Sequence, residues 1–348
     1  MKREFYKILS LTFLTLLTIH LHAGNPDRQG EAGAYELLIN PWARGSALNT
    51  LNASRVKGTE AMMVNPAGLG RISKRQEILA AHTRWLVPSG ITVNSFGYTT
   101  KKGENGALSF SLMSLDMGNI KVTTTESPEG TGATYKPTFF NLGVGYSYTF
   151  GGKVSVGSAV RVISETISDL SAFGFCIDGG VQYAAGDENQ FKLGIALRNI
   201  GSPMRFSGSG LSTQLQGPAG HQLTYDVRLS RFELPSLLHL GMSYDFKVGD
   251  YITTTPMANF TANSFGKDLL GVGLETEINK MFSLRFSYSG PLGSSDVETK
   301  GAYLGFGMGF GLEYPLDKKG NNILMLDYGY RPTNPFQGTH NIGIGLSF

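Results

Sequence analysis

The chain of 348 residues holds 46 glycines, 21 phenylalanines and 15 tyrosines but only 16% charged residues and one cysteine. Its formal net charge of +3 falls to +1 once Lys2, Arg3, Glu4 and Lys7 are discounted, which leaves no positive field for a nucleic-acid partner. Cys176 alone excludes an internal disulfide and reads as a small strand residue, and past residue 23 no apolar run reaches the roughly 18 residues that a spanning helix needs.

In chain order, Lys2, Arg3 and Lys7 precede an apolar run from Ile8 to Ile19 that ends at Leu21-His22-Ala23. This pattern predicts a secretory signal peptide over residues 1–23, too short and too interrupted by Thr12, Thr15 and Thr18 to serve as an anchor. Residues 24–76 do not alternate and form the expected N-terminal plug, or hatch. It contains Asn40-Pro41-Trp42-Ala43-Arg44 and the candidate plug motif Asn65, Pro66, Ala67 and Gly68. By itself that motif reads as a tight turn, because Pro fixes φ and Gly tolerates positive φ.

From residue 77 to residue 348, alternating segments recur between turn residues. Leu142, Val144, Tyr146, Tyr148 and Phe150 alternate with Gly143, Gly145, Ser147 and Thr149, and Phe306, Met308 and Phe310 alternate with Gly307, Gly309 and Gly311. The expected fold is all-β: a transmembrane antiparallel β-barrel of about 14 strands, since only helices or a closed sheet satisfy the backbone in lipid. The expected strands are 77–86, 91–99, 106–116, 139–149, 153–165, 172–184, 190–199, 237–247, 251–262, 268–277, 281–290, 301–313, 322–331 and 340–348. Connections after even strands are short, whereas the longest, 117–138 and 200–236, follow the third and seventh, a sorting by parity that a barrel requires. A soluble sandwich would be charged outside and apolar inside. Here the second face is Gly and Ser with scattered charge, including Arg161, Asp178, Glu275, Arg285 and Asp327, which suits a polar lumen.

Three further features stand out. In the third strand Leu108, Phe110 and Leu112 share one parity and Met113, Leu115 and Met117 the other, so a kink is expected at Leu112 and Met113, either at the membrane rim or as a lateral gap. The loop after the seventh strand carries Met204, Arg205, Phe206, Leu211, Tyr225, Arg228 and Arg231, a candidate partner-binding surface or an inward cap. The last strand alternates His340, Ile342, Ile344 and Leu346 with small residues and ends on Phe348, which resembles the assembly signal of outer-membrane barrels. No nucleophile elbow, phosphate loop, zinc motif or Cys pair occurs, so no enzyme, cofactor or metal is expected.

An Asn-Pro-Ala-Gly-Leu segment before the first strand, Leu197-Arg198-Asn199-Ile200-Gly201, Phe232-Glu233-Leu234-Pro235-Ser236 and Asn259-Phe260-Thr261-Ala262-Asn263 resemble the PorV/PorQ family of the FadL-like barrels. That resemblance implies a multi-pass protein of the outer membrane in a Gram-negative, Bacteroidetes-type bacterium. It also implies partners: translocon or attachment-complex proteins of type IX secretion, and secreted cargo. The chain departs from many relatives between Ser46 and Met63. The alternative that the FadL-like resemblance implies is a channel for hydrophobic small molecules with a lateral opening, its lumen holding lipid or another hydrophobic ligand.

Overall fold

The computed structural model describes residues 28–217, 221–292, 301–318 and 320–348, so the expected signal peptide lies outside the described residues. Fourteen strands form the wall: β1 (Gln76–Trp85), β2 (Ile91–Lys102), β3 (Gly106–Asp116), β4 (Thr138–Phe150), β5 (Val154–Ile167), β6 (Leu170–Ala185), β7 (Phe191–Gly201), β8 (Leu237–Tyr244), β9 (Ile252–Asn263), β10 (Leu269–Ile278), β11 (Phe282–Pro291), β12 (Phe306–Pro315), β13 (Ile323–Arg331) and β14 (Thr339–Ser347). Each pairs antiparallel with its chain neighbours, and β1 pairs with β14, from Glu77 opposite Ser347 to Arg84 opposite His340. The sheet therefore closes on itself and leaves no edge, the condition for crossing lipid with strands.

The outward positions are apolar around the circumference: Phe96, Phe110, Tyr146, Val160, Phe175, Ile195, Met242, Val272, Phe286, Phe310 and Ile344 are all exposed. Water-soluble monomers do not display an unbroken apolar surface of that extent. Aromatic side chains ring the short-turn end, with Tyr148 against Phe150 at 4.8 Å and Tyr244 against Phe246 at 4.5 Å between ring centroids, as at a membrane interface. The turn after β4 uses Gly151 and Gly152 at φ 54° and 69°, a backbone that a residue with a Cβ adopts only under strain.

Residues of the N-terminal segment fill the lumen. The hatch has short 3-10 helices at Tyr35–Leu38, Gly58–Met63 and Pro66–Arg71, and one helix, α1 (Ala43–Ala47). Frequent Gly, Pro and Asn keep these elements short, and the chain between them turns on side-chain hydrogen bonds, such as Trp42 N to Asn40 Oδ1 at 3.1 Å. Leu48, Ala53, Met62, Val64 and Leu69 are fully buried, so the plug is packed against the wall.

The wall glycines owe their place to this plug. A Cβ at Gly157 would lie 2.3 Å from the Pro66 carbonyl oxygen, one at Gly194 2.3 Å from that of Ala53, and one at Gly329 2.5 Å from that of Ala43. Gly307 faces the Ala47 carbonyl in the same way, at 2.5 Å. The small second face of the strands is thus an imprint of hatch backbone on the wall.

The expected kink at Leu112 and Met113 is absent. β3 keeps one register with both neighbours, Leu112 opposite Phe96 and Leu142, and Met113 opposite Ser95 and Asn141. Its inward face runs Ala107, Ser109, Ser111, Met113 and Leu115 without a slip. The apparent change of parity is a change of lumen chemistry: near the long-loop end the interior turns from hydroxyl to apolar, while the outward face turns polar at Ser114 and Asp116. The strand expected to begin at residue 301 begins at Phe306, after Gly305 at φ 88°.

Candidate functional site

Toward the long-loop end the lumen holds one continuous apolar column. Leu37, Trp42 and Met63 of the hatch pack with Val93, Met113, Leu115, Phe139, Ile163 and Cys176 of the wall and with Met204 and Leu234 of the loop after β7. Phe206 and Phe232 close it from above, their ring centroids 5.8 Å apart. Lumens that carry water are lined by polar side chains, whereas here an apolar cluster runs beside the few buried polar ones, Ser95, Asn141 and Arg161 among them.

The sequence-predicted loop divides between two tasks. Its ends cap the lumen: Met204 is fully buried, Phe206 is half-buried, and the Met204 and Phe232 backbones exchange hydrogen bonds of 2.9 Å. Its middle projects as a hairpin, Ser212–Gln216 paired with Gln222–Asp226, exposed on both faces. Leu215 opposite Leu223, and Thr213 opposite Tyr225, give the hairpin one largely apolar face. Arg205, Leu211 and Arg228 line a cavity of about 610 Å³ beside it, and Arg231 lies exposed on the irregular segment that leads back to the wall.

The plug motif and its helix sit at the opposite side of the hatch, against β4, β5 and β6, with Asn65 also reaching Ile195 of β7. Asn65 caps the Pro66–Arg71 helix by accepting from Ala67 N at 3.1 Å, and Pro66 opens that helix where no backbone donor is needed. Its amide Nδ2 donates to the carbonyls of Ala53 at 2.9 Å and Val181 at 3.1 Å. Gly68 is required because a Cβ there would meet the Val56 carbonyl at 2.1 Å. Asn65, Pro66, Ala67 and Gly68 together fasten the hatch to the wall.

Nearer the short-turn end the contact is ionic. Arg44 Nη2 of α1 donates to Glu275 Oε2 on β10 at 2.9 Å, Arg55 of the hatch contacts the same oxygen, and Arg285 Nε on β11 donates to Glu275 Oε1 at 2.8 Å. Arg285 in turn pairs with Asp327 on β13, and Lys192 with Asp245 at the lumen rim. Burial pushes the carboxyl of the hatch residue Glu60 up to about 8, opposed by nearby Arg44 and reinforced by Asp327. Scattered charges of the alternating strands thus meet hatch arginines, a pairing over 200 residues apart that spacing does not reveal.

A register break that the alternation does not announce falls between β6 and β7, where Ile177 pairs with Ile200 but Gly179 with Leu197. Asn199 adopts φ 60°, and Asp178 Oδ1 accepts from its N–H at 2.7 Å, replacing the missing ladder bond. Arg161 Nη2 donates to the same oxygen at 2.8 Å, and Asn199 Nδ2 donates to the Pro235 carbonyl at 2.7 Å, tying the loop cap to the wall.

Phe348 completes the seam. Its N–H donates to Gln76 O at 2.9 Å and its carbonyl accepts from Gln76 N at 2.7 Å. Among the described residues no group of three or more His, Cys, Asp or Glu side chains converges as a metal site.

No protein-family model matches the chain, and no curated protein matches it. Solved structures do. The toluene transporter TodX of Pseudomonas putida aligns at TM-score 0.55 and 14% identity over 88% of this chain and 96% of its own. The monoaromatic hydrocarbon channel CymD aligns at TM-score 0.54 and 12% identity over 89% of this chain and 97% of its own. A FadL homologue of Pseudomonas aeruginosa aligns at TM-score 0.50 and 13% identity over 88% and 97%. The chain therefore has the fold of the FadL-type hydrocarbon channels.

Proposed function

We propose that the protein is an outer-membrane channel for hydrophobic small molecules, its long-loop end facing outward. The observation that carries this reading is the apolar column inside the lumen, from Phe206 and Phe232 at the mouth to Trp42, Met63, Met113 and Leu115 within. A ligand leaving water gains about 25 cal/mol per Å² of apolar surface buried there, whereas a polar solute would lose its hydration without replacement. The likeness to TodX and CymD supports a ligand of the aromatic hydrocarbon kind. No group in the lumen is assigned a catalytic task; the reading is of binding and passage, not chemistry.

The test is uptake of labelled toluene and of a labelled long-chain alkane by bacteria expressing the chain in place of their own channel. Wild type raises uptake, and Met113→Arg and Leu115→Asn, each with a folded heat-modifiable barrel, return it to the background. Uptake at background for wild type overturns the reading.

A second reading rests on the projecting hairpin, whose exposed Leu215, Leu223, Tyr225 and Val227 suit a protein contact. On it, the chain is a PorV/PorQ-like carrier or scaffold of type IX secretion. Replacing residues 212–226 by a short Gly-Ser link then abolishes capture of a translocon barrel or cargo domain and leaves uptake unaltered.

A further inference from the structure

We infer that the lumen wall holds a buried site for a compact monovalent anion, centred on Arg198 of β7 and His239 of β8. Four ionisable side chains meet here and all are removed from solvent: Arg161 and Asp178 at 0%, His239 at 3% and Arg198 at 4% exposure. Two guanidiniums therefore face a single carboxylate. That carboxylate is already shared: Asp178 Oδ1 takes Asn199 N–H and Arg161 Nη2, while Oδ2 lies 2.8 Å from Arg161 Nε in an ion pair without hydrogen-bond geometry. Arg198 Nε stands 3.9 Å from Oδ2, beyond hydrogen-bond reach, and its Nε and Nη2 have no partner.

The imidazole supplies a further donor. Arg198 pairs with Leu237, and His239 follows two residues later opposite Ala196, which places the imidazole and the guanidinium on one diagonal of the same inward face. His239 Nδ1 is 3.0 Å from the Thr261 hydroxyl and 3.4 Å from Asn259 Nδ2. The Thr261 hydroxyl accepts from Asn259 Nδ2 at 3.0 Å, which leaves its own proton for Nδ1 and so puts the imidazole proton on Nε2, buried without a partner.

Arg198 Nε, Arg198 Nη2 and His239 Nε2 thus require an acceptor, and the cluster requires one negative charge. A water molecule accepts but brings no charge, and an uncompensated buried guanidinium is among the costliest defects a folded chain can hold. A divalent oxyanion would exceed the single charge to be neutralised and would repel Asp178. A halide or nitrate satisfies both demands. The site adjoins the apolar column at Cys176, the register partner of Arg161, but its need for an acceptor does not depend on the channel reading.

The test uses the full chain in detergent, crystallised with sodium bromide as the only halide salt, with data collected at the bromine absorption edge. An anomalous peak within hydrogen-bond reach of Arg198 and His239 is expected. Density there without anomalous signal, an ordered water only, overturns the proposal, as does empty space. In parallel, the thermal unfolding transition is read in bromide and in gluconate at equal ionic strength. Wild type is expected to unfold several degrees higher in bromide, and Arg198→Gln to lose that difference. Equal transitions for wild type in the two salts also overturn the site, whether or not Arg198→Gln folds.

Discussion

Arg44 on the hatch and Glu275 on the wall are joined by a 2.9 Å hydrogen bond, and Arg55 and Arg285 crowd the same fully buried carboxylate. Three guanidiniums on one carboxylate make Glu275 the charge that holds the lower hatch. Breaking a buried ion network by neutralising one member costs about 3–5 kcal/mol, because the partners remain buried without compensation. Glu275→Gln is expected to lower the urea midpoint of the reconstituted barrel accordingly. A midpoint equal to wild type would show that solvent already screens the arginines.

Wall glycines under the hatch are expected to tolerate no side chain. At Gly194 a Cβ would lie 2.3 Å from the Ala53 carbonyl oxygen, a contact with backbone that cannot swing aside. Gly194→Leu should therefore leave the strands paired but dislodge the plug. In planar bilayers the variant is expected to pass ions where wild type is closed. Unchanged conductance with a protease-resistant hatch would refute this.

Asn65 acts through both ends of its amide, and two substitutions separate them. Asn65→Asp keeps the acceptor for Ala67 N but faces the Ala53 and Val181 carbonyls with an oxygen, whereas Asn65→Ala removes the cap and the donor together. Loss of a cap costs about 1 kcal/mol. Chemical unfolding is expected to rank wild type above Asn65→Ala and Asn65→Asp lowest, since buried like-charged oxygens repel as well as lose a bond.

Glu60 gives the hatch a pH dependence. Folded, its carboxyl keeps the proton up to about 8; unfolded, it releases the proton near 4.5. The folded state binds the extra proton across that interval, so the stability it contributes is fully present below pH 4.5 and is lost as pH rises through 8. Glu60→Gln, which cannot ionise, is expected to unfold at the same midpoint as wild type at pH 5 and at a higher one at pH 9. Parallel profiles for the two chains would contradict it.

Strand number and connection lengths were legible because each strand keeps its period of two and the longest gaps, after β3, β7 and β11, all follow odd-numbered strands. The hatch was legible as a segment that fails to alternate. Its attachment was not: Arg44, Arg55 and Glu275 come together only once the barrel closes, and nothing local marks their meeting. Met113 misled because apolar residues on both faces of a strand mimic a slipped register, and only the neighbours on β2 and β4 distinguish the two. Asp178 and Asn199, the true site of irregularity, lie in a segment whose outward residues alternate on either side of the extra residue.

The hatch imprint on the wall also sets how the sequence can vary. Along any strand, outward positions such as Val160, Ile195 and Phe310 meet only fluid lipid and accept one apolar residue for another. The positions between them answer to a fixed partner, a carbonyl at Gly157 or Gly194 and a side chain at Glu275. Saturation mutagenesis of this barrel would therefore give a tolerance profile that oscillates every second residue, with its deepest minima at glycines. In a wall built around a solid insert, the least replaceable residues are those with nothing to replace.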